Sequence, residues 1–257
     1  MNTQEKSIAL LTFMIADIKR VFRMWTQTFL APAINSFLYF VVFGSVMGFQ
    51  IGEMGGHPYV QFIAPGLIIM SLITSAYNHT GFAFYLGRFQ RSIEELLISP
   101  MPNWLILLGY VLGGVMRGLI VGVIITAVAL IFTHLPIYSI GTVLLVALLA
   151  GAIFSVAGVI NGIYATSFDA VAFVPTFVLA PLSFLGGVFY SVHLLPGFWH
   201  TLSLFNPLVY IIETFRYGFL GVAFSHGWIS FLMMFVFVIV LFIYTLILLH
   251  RGVKIKQ

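Results

Sequence analysis

Six runs of about 20 predominantly apolar residues constrain this sequence more than any other feature, because a helix of that length crosses a hydrocarbon core of about 30 Å. The runs occupy residues 28–48, 59–86, 104–133, 140–165, 170–190 and 228–249. Alternating segments of about ten residues, which build transmembrane barrels, do not occur. The sequence therefore predicts an all-α polytopic membrane protein with six transmembrane helices.

The composition supports this fold class. The 257 residues are 61% hydrophobic and 7% charged, and the mean hydropathy of +1.11 lies far outside the range of soluble domains. The chain has no cysteine, which excludes disulfides, thiolate catalysis and cysteine-based metal sites. No internal repeat divides the sequence, so residues 1–257 are expected to form a single transmembrane domain.

Residues 7–25 precede the first run and have the pattern of an amphipathic helix. Lys19, Arg20 and Arg23 lie on one side, and Phe13 breaks the pattern. On the other side, apolar residues recur at alternating steps of three and four: Ile8, Leu11, Ile15, Ile18, Phe22 and Trp25. An ordinary first turn of a span would bring three basic residues into hydrocarbon. The pattern therefore favours an interfacial helix in the headgroup plane.

The basic residues predict the orientation. Nine of the eleven Lys and Arg residues fall on one side of the membrane, whereas Arg216 falls on the other and Arg117 lies within the third run. Because Lys and Arg accumulate in cytoplasmic loops, both termini and the loop at 88–102 are predicted to be cytoplasmic. The net charge of +4 follows from these loops. Membrane lipid is therefore an expected partner, and nucleic acid is not.

The loop at 88–102 reads "RFQRSIEELLISPMP" and predicts a short helix. Ser92 is a good N-cap, and Glu95 completes a capping box. The helix should cover residues 93–98, about two turns, and Pro100 should stop it. Its apolar stripe consists of Ile93, Leu96 and Leu97. The segment is either a solvated hairpin or a shape that the groove of another protein can bind.

Four segments follow the first amphipathic stretch in a specific order. They are "FIAPGLIIMS", "RFQRSIEELLISPMP", "GYVLGGVMRGL" and "FLGGVFYSVHLLPGFWHTLSLFNPLVYIIETFRYGFLG". Their order resembles the membrane subunit of type-2 ABC exporters over nearly the full chain. The resemblance implies a homodimer with twelve spans and places the coupling helix, which docks on a separate ATPase subunit, at 88–102. The implied contacts are Arg88, Phe89, Arg91, Glu94, Glu95, Leu96, Leu97 and Pro100.

The chain itself lacks the motif of an ATPase. No G-x-x-x-x-G-K-[ST] segment occurs, so a phosphate-binding P-loop cannot form. ATP and Mg²⁺ are therefore expected only on the partner ATPase, and this chain is expected to need no cofactor. The histidines of the outer loops lack the spacing of metal ligands, and no metal site is expected.

Polar residues at membrane depth are candidates for the substrate pathway. Arg117 either snorkels to headgroups or pairs structurally, or it receives an anionic or polar substrate. Glycines repeat around it at four-residue spacing, which favours close helix packing within one subunit or at a dimer seam. They are Gly109, Gly113, Gly114, Gly118 and Gly122.

The segment 191–221 is too polar for a full span. Asn206 as N-cap and Pro207 at the first position predict a helix that ends at Gly218, and Glu213 can pair with Arg216 one turn away. The resemblance implies re-entrant helices here that close the outer end of the pathway. Asn206, Glu213 and Arg216 are therefore candidate gate residues, although an internal salt bridge without a gating role fits equally.

Two other functional classes fit the sequence less well. An ion-gradient-driven transporter or channel usually carries membrane-embedded acids, but here every acid except Glu213 maps to a loop or an interface. A membrane enzyme needs clustered reactive groups, and Asn78 with His79 is the nearest approach. The favoured interpretation is a permease that moves an amphipathic drug, a lipid or a glycan across the inner membrane.

Overall fold

The computed structural model describes residues 3–98, 101–222 and 227–252, and it is almost entirely helical. Six helical segments of this described part are long and apolar enough to cross a membrane: Thr26–Ile51, Tyr59–Phe89, Asn103–Phe132, Ile140–Tyr164, Phe168–Leu185 and Gly227–Arg251. The predicted all-α polytopic fold class is therefore confirmed. A helix at Thr3–Arg23 (α1) precedes them, close to the predicted range of 7–25.

The first span is built from four helical pieces. A π-helical turn, Thr26–Leu30, leads into the α-helix Ala31–Tyr39 (α2). A second π-helical stretch, Phe40–Met47, leads into Gly48–Ile51 (α3). A short antiparallel hairpin follows, in which Glu53–Met54 (β1) pairs with His57–Pro58 (β2). The chain therefore turns tightly between the first and second spans.

Three long helices form the centre of the molecule. They are Tyr59–Phe89 (α4), Asn103–Phe132 (α6) and Ile140–Tyr164 (α7). Of the residues in the apolar stretch of α4, 72% are buried, compared with 12% in that of the first span and 17% in that of the fifth. The first and fifth spans therefore expose most of their apolar surface to lipid or to another protein. The last span, Gly227–Arg251 (α12), also lies at the periphery, with 22% buried.

The fifth span is shorter than predicted. It consists of Phe168–Val174 (α8), a π-helical turn at Pro175–Leu179 and Ala180–Leu185 (α9). The expectation that it continues to Tyr190 is wrong, because Gly187 adopts a positive φ of 78° that an α-helix cannot accommodate.

Residues 191–221, the outer segment of the predicted topology, contain two short helices. After a 3₁₀ turn at Val192–Leu194 come Gly197–Leu204 (α10) and Pro207–Leu220 (α11). The predicted start of α11 is confirmed, but its predicted end at Gly218 is wrong. Gly221, at φ +69°, is the left-handed C-cap. Gly218 lies inside the helix, where its missing Cβ makes room for Val143 of α7, whose Cγ2 would be 2.8 Å away.

Glycines bring α4 and α7 into backbone contact. A Cβ on Gly162 would lie 2.8 Å from the carbonyl oxygen of Gly81, and a Cβ on Gly158 would overlap the carbonyl oxygen of Tyr77. Lipid provides no hydrophobic force between helices, so such close van der Waals packing is a main source of their association. The α4–α7 contact therefore depends on the absence of side chains at these positions.

The glycines of α6 also pack within the chain. A Cβ on Gly109 would lie 2.8 Å from the ring of Phe13, and one on Gly118 would lie 3.0 Å from the carbonyl oxygen of Leu72. A Cβ on Gly113 would overlap the carboxylate of Asp17. Of the two interpretations of the glycine repeat, the structure supports packing within one subunit.

We expect the substitution Gly162→Val to destabilise the α4–α7 contact by about 1–3 kcal/mol, because overpacking forces the helices apart. Gly141→Val is the matched control, since Gly141 lies in the same helix and a Cβ added to it would have no neighbouring atom within 4 Å. The midpoint of thermal aggregation in detergent should fall for Gly162→Val and stay unchanged for Gly141→Val. Equal midpoints would contradict the packing described.

Candidate functional site

The loop between α4 and α6, which is the cytoplasmic loop of the predicted topology, contains the predicted short helix, Ser92–Ile98 (α5). Arg91 has a positive φ of 60°, which turns the chain sharply after α4. The hydroxyl of Ser92 donates a hydrogen bond to the carbonyl oxygen of Gly87 at 3.1 Å. Ile93 is 1% exposed and packs against Gly87, so α5 is anchored to the end of α4.

The predicted contacts on this loop have different environments. Phe89 and Arg91 are exposed, and Leu96 is half-buried. Pro100 and the side chains of Glu94, Glu95 and Leu97 lie outside the described residues. Ile93, which was predicted to share an apolar stripe with Leu96 and Leu97, is buried against the end of α4. Ile98 is 86% exposed and, together with Phe89, presents apolar surface.

Arg88 binds inside the chain, although it was expected to contact a partner. Its guanidinium donates hydrogen bonds to the carbonyl oxygens of Ile163 and Ala165, at the C-terminal end of α7. The guanidinium carbon also lies 5.6 Å from the centre of the Tyr85 ring. A cation is favourable at a helix C-terminus, where the unpaired carbonyls carry partial negative charge. Arg88 therefore ties the base of the loop to α7.

A chain of polar side chains joins α1 to α4 and α6. Asp17 accepts hydrogen bonds from Arg20 and from His79, whose Nε2 lies 2.7 Å from Asp17 Oδ2. On the other side of the imidazole, Arg117 Nη1 lies 3.3 Å from His79 Nδ1. Since arginine can only donate, Nδ1 is the acceptor and the proton is assigned to Nε2. The His79 ring in this arrangement is therefore neutral.

Burial makes this polar chain a strong structural link. Asp17 and His79 are each 6% exposed. Burial raises the pKa of Asp17, but the hydrogen bond from His79 and the charge and hydrogen bond of Arg20 outweigh it, so that pKa lies below its ordinary value. Arg117 contacts His79 within the chain, so it is not a side chain that only snorkels to headgroups.

The sequence pattern did not identify Asp17 as a candidate residue, and it placed His79 only beside Asn78. The signal was present in α1, where Phe13, Asp17 and Val21 follow one another at four-residue spacing. Asp17 and Val21 are buried, whereas the apolar residues of the predicted stripe are mostly exposed. The break in the pattern at Phe13 therefore marks the face of α1 that packs on α6.

Arg216 is the centre of the outer segment. It is 6% exposed, and it donates to the carbonyl oxygens of Phe62 at 3.1 Å and Gly187 at 2.7 Å. Its guanidinium carbon also lies 3.9 Å from the centre of the Phe62 ring. The predicted salt bridge with Glu213 is wrong, because these carbonyls already satisfy the guanidinium and no ion pair joins the two described side chains.

Asn206 holds the beginning of α11. Its Oδ1 accepts from the backbone N–H of Leu208 at 3.0 Å, and its Nδ2 donates to the carbonyl oxygen of Leu182 at 2.6 Å. The first bond caps α11, and the second ties it to α9. Asn206 and Arg216 thus fasten the outer segment to the end of the fifth span.

Comparisons with known proteins agree with this architecture. The family model described as "ABC-2 type transporter" matches residues 9–220. The chain is 46% identical over 245 residues to the inner membrane transport permease YadH of Escherichia coli (strain K12), covering 95% of this chain and 96% of the relative. It is 29% identical over 213 residues to nodulation protein J of Rhizobium leguminosarum bv. trifolii, covering 80% and 81%.

A second nodulation protein J, from Rhizobium meliloti (strain 1021), is 27% identical over 217 residues, covering 82% of this chain and 83% of the relative. The family match extends from the first third of α1 to the end of α11. It therefore includes the cytoplasmic loop, the polar chain and the outer segment together. The chain belongs to the ABC-2 type transporter family, as a multi-pass inner-membrane transport permease of an ABC transporter.

Proposed function

We propose that this permease is the membrane subunit of an ATP-driven exporter, and that α5 is the coupling helix that a separate ABC ATPase binds. The observation that carries the proposal is the direct connection of α5 to α4. Helix α4 runs unbroken over 31 residues, from Tyr59 to Phe89, and a single sharp turn leads from it into α5. A force applied to α5 therefore acts on the most buried span.

The surface around α5 fits a protein partner. Phe89 and Ile98 are exposed apolar side chains on a loop predicted to face the cytoplasm. Burying them in a groove removes apolar area from water. We keep Phe89, Arg91, Glu94, Glu95, Leu96, Leu97 and Pro100 as proposed contacts of the ATPase. For Arg88 we propose a different role, which is to hold the base of the loop in place, because its guanidinium is already bound to the end of α7.

The first and fifth spans supply a surface for a second copy. Most of their apolar side chains are not covered within one chain. A homodimer that covers part of this surface gives twelve spans and a route between the copies. ATP and Mg²⁺ bind only the ATPase subunits in this scheme, and both termini of the permease lie in the cytoplasm.

The cargo fits the class of amphipathic, lipid-like or glycan molecules. Exposed aromatic residues on the fifth span, such as Phe173, Phe177 and Phe184, can contact either acyl chains or sugar rings. The outer segment held by Asn206 and Arg216 closes the outer end of the route. Glu213 is half-exposed on the same helix and can contact the passing polar part of the cargo.

Substitution of Ile98 by glutamate tests the docking surface. Glutamate keeps helix propensity but places a charge in the proposed apolar contact, so Ile98→Glu should lower the amount of ABC ATPase that copurifies with the tagged chain at least tenfold. Leu194→Glu, on an exposed aliphatic residue of the outer segment, is the matched control. Both variants should insert normally. Full retention of the ATPase by Ile98→Glu would refute the docking assignment.

The energy source separates this proposal from an ion-gradient-driven mechanism. In vesicles that contain the permease and its ATPase, ATP should drive substrate movement without any ion gradient. Replacing the P-loop lysine of the ATPase should abolish this substrate movement. Movement driven by a proton or sodium gradient in the absence of nucleotide would contradict an exporter coupled to ATP.

The outer segment gives a paired prediction for stability. Arg216→Met should lower the free energy of unfolding by about 2–4 kcal/mol, because two buried carbonyl groups lose a charged donor. Glu213→Gln should change it by less than about 0.5 kcal/mol, because Glu213 makes no ion pair with Arg216. Thermal midpoints in detergent measure both effects. A large loss of stability in Glu213→Gln would indicate an ion pair between Glu213 and Arg216 and would contradict the contacts described.

A further inference from the structure

A cavity of about 490 Å³ lies beside the polar chain, where α1, α4 and α6 meet. Six polar side chains line it: Arg20, Gln27, Thr28, Asn78, His79 and Arg117. The apolar part of the wall includes Met24, Phe82 and Phe168. The cavity therefore combines a polar end, rich in hydrogen-bond donors, with an apolar end.

The polar end carries an excess of positive charge. Two guanidinium groups, of Arg20 and Arg117, face one carboxylate, that of Asp17, and His79 is neutral in the assigned tautomer. Arg117 also has a buried Nε without a hydrogen-bond partner among the described residues. A buried donor left unpaired costs free energy, which an acceptor in the cavity would recover. An anion is therefore the ligand that this wall favours.

The position of the cavity indicates where the ligand comes from. The amphipathic α1 packs on α6 through Phe13 against Gly109 and Asp17 against Gly113. An amphipathic helix with basic residues on one face settles at the headgroup level, so the polar end of the cavity lies at that level too. Met24 and Phe82 continue the wall with apolar surface.

We propose that this cavity binds the phosphate headgroup of an anionic amphiphile from the cytoplasmic leaflet. Arginine and phosphate match in geometry, because the guanidinium offers paired N–H donors to two oxygens. Gln27 and Thr28 supply further donors, and the acyl part lies along Met24, Phe82 and Phe168. Binding of the amphiphile to the cavity does not depend on the proposed export function. The further assignment of the amphiphile as the cargo rests on that function.

The binding test uses the full chain purified in a nonionic detergent, without the ATPase, so that its outcome is independent of the docking test. The probe is dioctanoyl phosphatidic acid. Dioctanoylglycerol has the same chains without the phosphate, and inorganic phosphate has the anion without the chains. We expect phosphatidic acid to bind at least tenfold more tightly than either. Equal affinity for dioctanoylglycerol, or for inorganic phosphate, would overturn the proposal.

Two variants should change the affinity in opposite directions. Arg117→Gln removes one of the two positive charges and should weaken the binding of phosphatidic acid at least tenfold. Asp17→Asn keeps the shape of the side chain but removes the opposing carboxylate, so it should strengthen binding several-fold. A purely structural role would weaken binding in both variants, and that result would overturn the proposal.

Arg251→Gln is the control for the variants, because Arg251 lies in a separate groove beside Trp104 and its substitution should leave the affinity unchanged. If either buried variant fails to fold, the comparison of the three ligands on the unmodified chain still decides the proposal. An affinity for phosphatidic acid that falls equally in Arg251→Gln and Arg117→Gln would indicate general surface attraction and would also overturn it.

Discussion

The rest of the structure depends on the backbone contact between α4 and α7. Gly81, Gly158 and Gly162 let the two helices approach until a carbonyl of one touches the Cα surface of the other. This contact fixes the C-terminal half of α4, from which α5 continues. Near the N-terminal end of α4, the carbonyl oxygen of Phe62 accepts a hydrogen bond from Arg216. One rigid helix thus connects the cytoplasmic loop with the outer segment.

Two arginines perform the same physical task at opposite ends of α4. Arg88 binds carbonyl oxygens where α7 ends, and Arg216 binds the carbonyl of Gly187 where the fifth span ends. Each supplies charged donors to backbone acceptors that no helix satisfies. The charge of each side chain therefore contributes to packing within the chain. Phe89 and Ile98 supply the exposed apolar part of the proposed docking surface.

Local patterns predicted the spans, the start of α11 and the short helix α5, because apolar length and N-capping are properties of neighbouring residues. Contacts between distant residues were not predictable in the same way. Asp17 and His79 are 62 positions apart, and nothing in either local pattern pairs them. The predicted end of α11 at Gly218 was wrong for a related reason. A glycine near a helix end is either a cap or a packing site, and only the position of Val143 distinguishes the two.

The π-helical stretches of the first and fifth spans have a consequence for side-chain register. A π-helix bonds each residue to the fifth along the chain, and the register of its side chains differs from that of the α-helical pieces around it. All three stretches lie in the least buried spans, around a core of regular helices. Among the described spans, the side-chain register therefore shifts at the rim of the bundle, whereas α4, α6 and α7 keep a regular register at its centre.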